Sequence, residues 1–393
     1  MRKLSAHYIF PAHRPPLKYG ILVLDDEGRV VELIDTGGKL KEESNLEFYS
    51  GILIPGFVNA HCHLELSHLR NRIPRRTGIS AFVEKVAESR MEEKDKIDRE
   101  IRDRAAEMYR SGIAVVGDIV NTDDTLPAKL DSPVYWHSFV ELFGLQSKEA
   151  NRIWQRGKAL KEKFEQSGLS ASMSPHAPYS VSRELWEHFK SDRPEFITMH
   201  SQESREEEEL MSNREGKMAG WFQKKGFNIE SLPQMKRSSL ESVMEFLPQV
   251  KRILLVHNTH TKKDDIDSIF TRFQDDQVFW VLCPNSNLYI ENSLPEGMIS
   301  NRKGLQICLG TDSLASNSSL SLLEEMKTLQ QHFPSLGLEE IIGWSSLNGA
   351  RALGAEGKYG SFEAGKQPGV VLIDHISYPG PSLTHQSRSV RLV

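Results

Sequence analysis

Cysteine is scarce in this chain of 393 residues: Cys62, Cys283 and Cys308 are the only three, and none forms a CxxC pair. So sparse and odd a set excludes a disulfide framework and suits a reducing compartment, so a cytoplasmic setting is expected. Long apolar runs are also missing. No stretch reaches the ~18 consecutive apolar residues of a membrane span, and the N-terminal MRKLSAHYIFPAHRPP lacks an apolar segment followed by a small-residue cleavage site. There is no excess of positive charge: 49 Lys and Arg against 54 Asp and Glu give −5, with both signs interspersed. That balance argues against nucleic acid and anionic membrane as partners. The densest charge run, Arg205 to Glu209, reads as a solvated helix start or loop. Internal repeats, low-complexity tracts and a glycine-rich phosphate loop after the first strand are absent too.

What is present suits a globular α/β protein, with 38% hydrophobic and 26% charged residues. Short apolar, β-prone runs that end in polar residues recur at Ile52–Asn59, Ile113–Ile119, Val134–Val140, Leu169–Met173, Phe196–Met199, Arg252–Val256, Val278–Leu282 and Leu305–Leu309. Amphipathic helical patterns alternate with them at Ile79–Gly112, Asn151–Gln166, Leu240–Leu247, Lys263–Phe273 and Leu320–Phe333. Eight strand–helix units predict a TIM-like (β/α)8 barrel over residues 51–358, because such a barrel needs roughly 250 residues. A doubly wound sheet fits less well, since the polar residues of interest follow many strands and not one switch point. Residues 1–50 and 359–393 hold short β-prone pieces, from which a small composite β-sandwich built by both chain ends is expected.

The strongest local signal is PGFVNAHCHLE, where His61 and His63 sit two apart after an apolar run. On a strand that spacing points both imidazoles the same way, as a metal pair would require. An HxH pair needs further ligands, and later strand ends supply them: His200 after FITM, His257 after ILLV and Asp312 after LGT. Barrel strands gather their C-terminal ends at one pocket. Three imidazoles and a carboxylate there would suit one divalent transition metal, Zn²⁺ or Fe²⁺, with a position left for water.

The set PGFVNAHCHLE, SPHAPYSVS, HSQES, LVHNTHT, GTDSLASN and the tail NGARALG to GKQPGVVLID resembles the amidohydrolase superfamily, in its branch of cytosine, adenine and guanine deaminases and chlorohydrolases. The resemblance spans nearly the whole chain. It implies a metal-dependent hydrolase with His61, His63, His200 and Asp312 as metal ligands, and with Glu203, His257 and Asp312 acting on substrate and water. A single metal is implied, because SPHAPYS stands where binuclear members carry a bridging lysine. His176 in that segment is then expected to face substrate. Glu65, two residues beyond His63, either reads a donor on the substrate or supports the ligands from behind. The role of Glu141 is left open, and Asn285 and Asn287 fit either substrate contact or turn chemistry.

The reaction so implied is hydrolytic deamination of a small amino-substituted heteroaromatic substrate. The HLELS segment is similar to that of aminodeoxyfutalosine deaminases, which act on an adenine nucleoside in menaquinone biosynthesis. Deamination of S-adenosylhomocysteine, adenosine, guanine or a pterin, cyclic-amide hydrolysis and chloride displacement use the same residues, and a non-catalytic scaffold is the alternative of another class. Segments 70–80 and 206–239 are expected to shape access, the longer one as a lid. A homodimer is a common assembly for such an enzyme, although no interface signature is visible.

Overall fold

The computed structural model describes residues 1–393. Two four-stranded sheets form its centre, both wholly parallel. The first runs β1 (Phe57–Cys62), β2 (Ile113–Val120), β3 (Tyr135–Leu142) and β4 (Ser170–Pro175), and the second β5 (Phe196–Ser201), β6 (Arg252–His257), β7 (Val278–Leu282) and β8 (Gln306–Leu309), each in chain order. These strands read as near-continuous apolar runs because both faces are covered; every residue of β2 and of β7 is buried. The two sheets meet along both edges. Between β4 and β5, the Thr198 amide donates to Ser174 Oγ at 3.0 Å and the His200 amide to the His176 carbonyl at 2.9 Å. Beyond β8, the amides of Thr311 and Asp312 donate to the His61 carbonyl at 3.0 and 3.1 Å.

Strand alternation sorts the apolar side chains into two cores. Val58, Val115 and Phe139 of the first sheet pack in one cluster with Leu254, Phe279 and Val281 of the second. Their neighbours on the opposite face, such as Val116, Val140, Ile253 and Trp280, pack in a separate cluster with the helices, including Trp154, Phe164 and Leu329.

Both chain ends contribute to one further sheet, in the order Ser389–Arg391, Val370–Ile373, Leu46–Pro55, Arg2–Ile9, Ile21–Leu24, Val30–Ile34, with Leu17–Lys18 paired to Arg2–Ile9. The single strand expected at Ile52–Asn59 is thereby divided. Leu46–Pro55 belongs to the chain-end sheet, and β1 begins at Phe57. Gly56 makes the break possible, since a Cβ there would lie 2.4 Å from the Pro368 carbonyl oxygen. The helix expected over Ile79–Gly112 is likewise two, Ile79–Ser89 and Lys94–Arg110. The chain turns between them where Arg90 reaches Glu65 and Asn121. No helix is long and apolar enough to cross a membrane.

Candidate active site

His61, His63 and His200 offer ring nitrogens that all lie within 4.8 Å of one another. Simple alternation does not produce this convergence. Val58 and Ala60 join the cluster common to both sheets, so a regular strand would turn His61 the other way, with Phe57. Register irregularities in the β1–β2 pairing, the second between Asn59 and Cys62, reset the alternation, as a bulge does when it re-aims a side chain. Cys62 then packs in the outer core, as expected from its position between the two histidines.

His63 Nε2 lies 3.3 Å from His200 Nε2, and the Asp312 Oδ1 lies 3.4 Å from His63 Nε2 and 3.7 Å from His61 Nε2. His200 donates from Nδ1 to the His176 carbonyl at 2.8 Å, which leaves its Nε2 lone pair directed at the cluster. The hydroxyls of Ser286 and Ser316 donate to Asp312 Oδ2 at 2.6 and 2.5 Å, leaving Oδ1 as the free oxygen. Both nitrogens of His61 are buried without a hydrogen-bond partner. Buried polar atoms in this condition are costly unless another species satisfies them. Three inward lone pairs and one free carboxylate oxygen form a donor set that fits a divalent transition metal.

Burial lowers the basicity of His61, His63, His200 and His257, favouring the neutral form that can bind through nitrogen. Burial acts on Asp312 in the opposite sense, but His61, His63 and His257 outweigh it and hold the carboxyl well below its ordinary range. Glu203 is different. Burial, reinforced by the charges of Asp312 and Glu291, pushes its carboxyl well above the ordinary value. It lies 3.5 Å from His257 Nε2. Asn287 Oδ1 accepts the Nδ1 proton of His257 at 2.9 Å, so Asn287 supports the histidine and is not on the cavity wall. Asn285 is engaged by Thr328 and Glu325.

His63, His200, Glu203, His257 and Asp312 line a cavity of about 860 Å³. The wall also carries Arg90, Asn121, Glu141 and His176, and an apolar belt with Phe82, Val86, Phe143, Trp221, Phe222 and Phe227. Part of this belt comes from helix Ile79–Ser89, and part from the segment expected as a lid, which is helical over Arg205–Asn213 and Gly216–Lys224. His176 faces the cavity as expected. Glu65 does not, because β1 ends at Cys62 and Leu64–Leu69 is a 3-10 helix. Its carboxylate instead binds Arg90 and the amides of Asn121 and Thr122, reaching the cavity only through Arg90 and Asn121. Glu141 has its Oε2 on Asn121 at 3.2 Å and its Oε1 at 3.6 Å from His200 Nδ1.

Two supports escaped the sequence reading. Asp118 on β2 accepts the Leu64 amide at 2.8 Å, just beyond His63, and pairs with Lys129 at 2.6 Å with both side chains fully buried. The acidic run 205–209 is the second, and it overturns an expectation: it is not simply a solvated face. Glu206 and Glu207 are buried, Glu206 receiving Ser80 and Glu207 the amides of Gln202 and Glu203. The signal was available, because Ser204-Arg205-Glu206-Glu207 is a capping-box pattern that directs its glutamate back over the helix start.

A cavity that brings together clustered imidazoles and two buried carboxyls suits a metal-dependent hydrolase. More specifically, the chain belongs to the amidohydrolase family, whose model matches residues 52–392. A curated relative, the adenosine deaminase of Helicobacter pylori, is 27% identical over 364 residues, covering 88% of this chain and 86% of its own. Among solved structures, the aminofutalosine deaminase of Helicobacter pylori in complex with methylthio-coformycin superposes with a TM-score of 0.78 at 22% identity, over 100% of both chains. Atrazine chlorohydrolase from Arthrobacter aurescens, complexed with zinc, gives 0.73 at 17% identity over 98% of this chain and 93% of its own. At those identities the two structural likenesses bear on the fold alone.

Proposed function

We propose that this protein is a zinc-dependent hydrolytic deaminase of an adenine nucleoside, with aminodeoxyfutalosine as the leading substrate. The observation that carries the reading is Glu203: a buried carboxyl biased towards its protonated form, 3.5 Å from His257 and lining the same cavity as His63 and His200. The named activity of the curated relative from Helicobacter pylori, an adenosine deaminase, supports an adenine nucleoside as the substrate class. The apolar side chains in the cavity lining, Phe82, Val86, Phe143, Trp221, Phe222 and Phe227 among them, leave room for a nucleoside with a bulky group on its sugar. The scaffold that presents these residues is read as an eight-stranded barrel closed from the two parallel sheets, supported by hydrogen bonds at both seams and by the core the sheets share. The chain-end strands are read as a separate composite β unit beside it.

His61, His63, His200 and Asp312 would hold the ion. When bound, a divalent ion makes water a nucleophile near neutrality by lowering its pKa from ~15.7 towards ~7. The Asp312 carboxylate, fixed through Oδ2 by two serines, takes up the proton released during attack on the amino-bearing carbon. His257, anchored by Asn287, orients the attacking oxygen and faces the charge that develops on it. Glu203 gives its proton to the ring nitrogen next to that carbon; its carboxylate then takes the proton of the new hydroxyl group and passes it to the departing amine, so that the carbon–nitrogen bond breaks, ammonia leaves and a carbonyl forms. His176 contacts the bound nucleoside from the adjacent wall. Ammonia release by zinc-loaded protein is the test, across adenosine, S-adenosylhomocysteine, aminodeoxyfutalosine, guanine and pterins, with Asp312→Asn as control. Release from adenine nucleosides alone is expected. Release from none of them would reject the reading.

A further inference from the structure

Glu207 is fully buried, has no cationic partner and is absent from the cavity wall. Burial pushes its carboxyl up to about 8, and a carboxyl so placed is costly unless its oxygens find partners. Its donors are specific: the Gln202 amide to Oε1 and the Glu203 amide to Oε2, each at 3.0 Å, and the Ser239 hydroxyl to Oε1 at 2.5 Å. In the usual capping box the glutamate returns to the amide of the N-cap residue. Here Ser204 is the N-cap and receives the Glu207 amide, while the glutamate reaches past it to the two preceding residues.

Those two residues form the bend that delivers Glu203. Gln202 sits at φ 50°, a left-handed conformation that costs a non-glycine residue energy and persists only where its surroundings enforce it. Strand β5 ends at Ser201, so without the bend the chain would run on past the cavity. The Glu207 carboxylate spans the bend, one oxygen on each peptide.

We propose that Glu207 is the positioning residue for Glu203, holding the left-handed bend at Gln202 so that the Glu203 carboxyl faces His257 and the substrate ring. The inference rests on Glu203 being the proton shuttle, and a double-mutant cycle separates the two claims. Wild type, Glu207→Gln, Glu203→Gln and the double variant are loaded with zinc; kcat and KM for ammonia release are measured, the slow variants over hours, together with zinc content. Glu207→Gln keeps one acceptor and the same shape. It is expected to lower kcat by ~10–100-fold, the scale of an ångström-level misplacement, with KM little changed and one zinc retained. In the Glu203→Gln background the same substitution is expected to have no further effect. An equal loss in both backgrounds would mean a general structural role, and loss of zinc would mean that Glu207 acts on His200; either overturns the proposal. Full turnover by Glu203→Gln alone would instead remove the shuttle itself. Should Glu207→Gln fold poorly, Glu207→Asp, which keeps the carboxyl but shortens the reach, is expected to show the same kcat loss and the same dependence on Glu203.

Discussion

At the scale of single residues, the site depends on where protons and lone pairs are held. Glu203 sits where burial favours its protonated form. Replacing it with Gln is therefore expected to lower kcat by ~10²–10⁴-fold while zinc content stays unchanged, as measured by ammonia release and metal analysis on one preparation. Lys129 illustrates a different dependence. Its ammonium contacts Asp118 and Ser138 in complete burial, and Lys129→Met would leave Asp118 charged and unpaired. A loss of ~3–5 kcal/mol in urea unfolding is expected. Adding Asp118→Asn should recover much of it, because the pair would then be neutral on both sides.

The elements position these residues mainly through irregularities. The register break in β1 turns His61 inward, and the left-handed residues Gln202, His257 and Asp312 bend the chain where β5 and β6 end and just past β8. At Gly56 the chain passes from the chain-end sheet into β1, with Pro368 and Ala114 packed against its Cα. Gly56→Ala is expected to destabilise by ~1–3 kcal/mol, the usual scale of overpacking, read as a lower Tm. The alternation of strands and helices was legible because apolar runs of strand length differ from amphipathic helical periods. The breaks at Gly56 and Arg90 were not, since each depends on a partner distant in sequence: Pro368 for the one, Glu65 and Asn121 for the other.

For the whole molecule, metal and proton binding are linked to folding. An ion held by residues from β1, β5 and the turn after β8 binds the folded chain and not the separated strands, so chelation is expected to lower Tm by several degrees and zinc to restore it, followed by scanning calorimetry. Protons act in the opposite way at His137, whose imidazole burial holds down at about 3. The folded state takes up that proton less readily than the unfolded chain does. The stability it contributes is therefore present above pH ~6.5 and is lost as the pH falls towards ~3. Between pH 6.5 and 5, wild type is expected to lose about 1.6 kcal/mol more than His137→Gln in urea titrations, the slope approaching ~1.4 kcal/mol per pH unit at the lower end.

The amino-acid sequence by itself determined the period of the elements and the chemical types at the strand ends, because both are local properties: burial pattern along a run, and which donor follows it. His61, His63, His200, His257 and Asp312 were visible on that basis, whereas Glu203 came only from the family resemblance. Only the tertiary structure decided what each group faces. Glu65 turned to Arg90 because the strand stops at Cys62, and Glu207 left the solvent because Ser239 and the peptides at Gln202 and Glu203 required an acceptor. Burial and hydrogen-bond satisfaction are settled by residues far apart along the chain, and no local pattern carries that information.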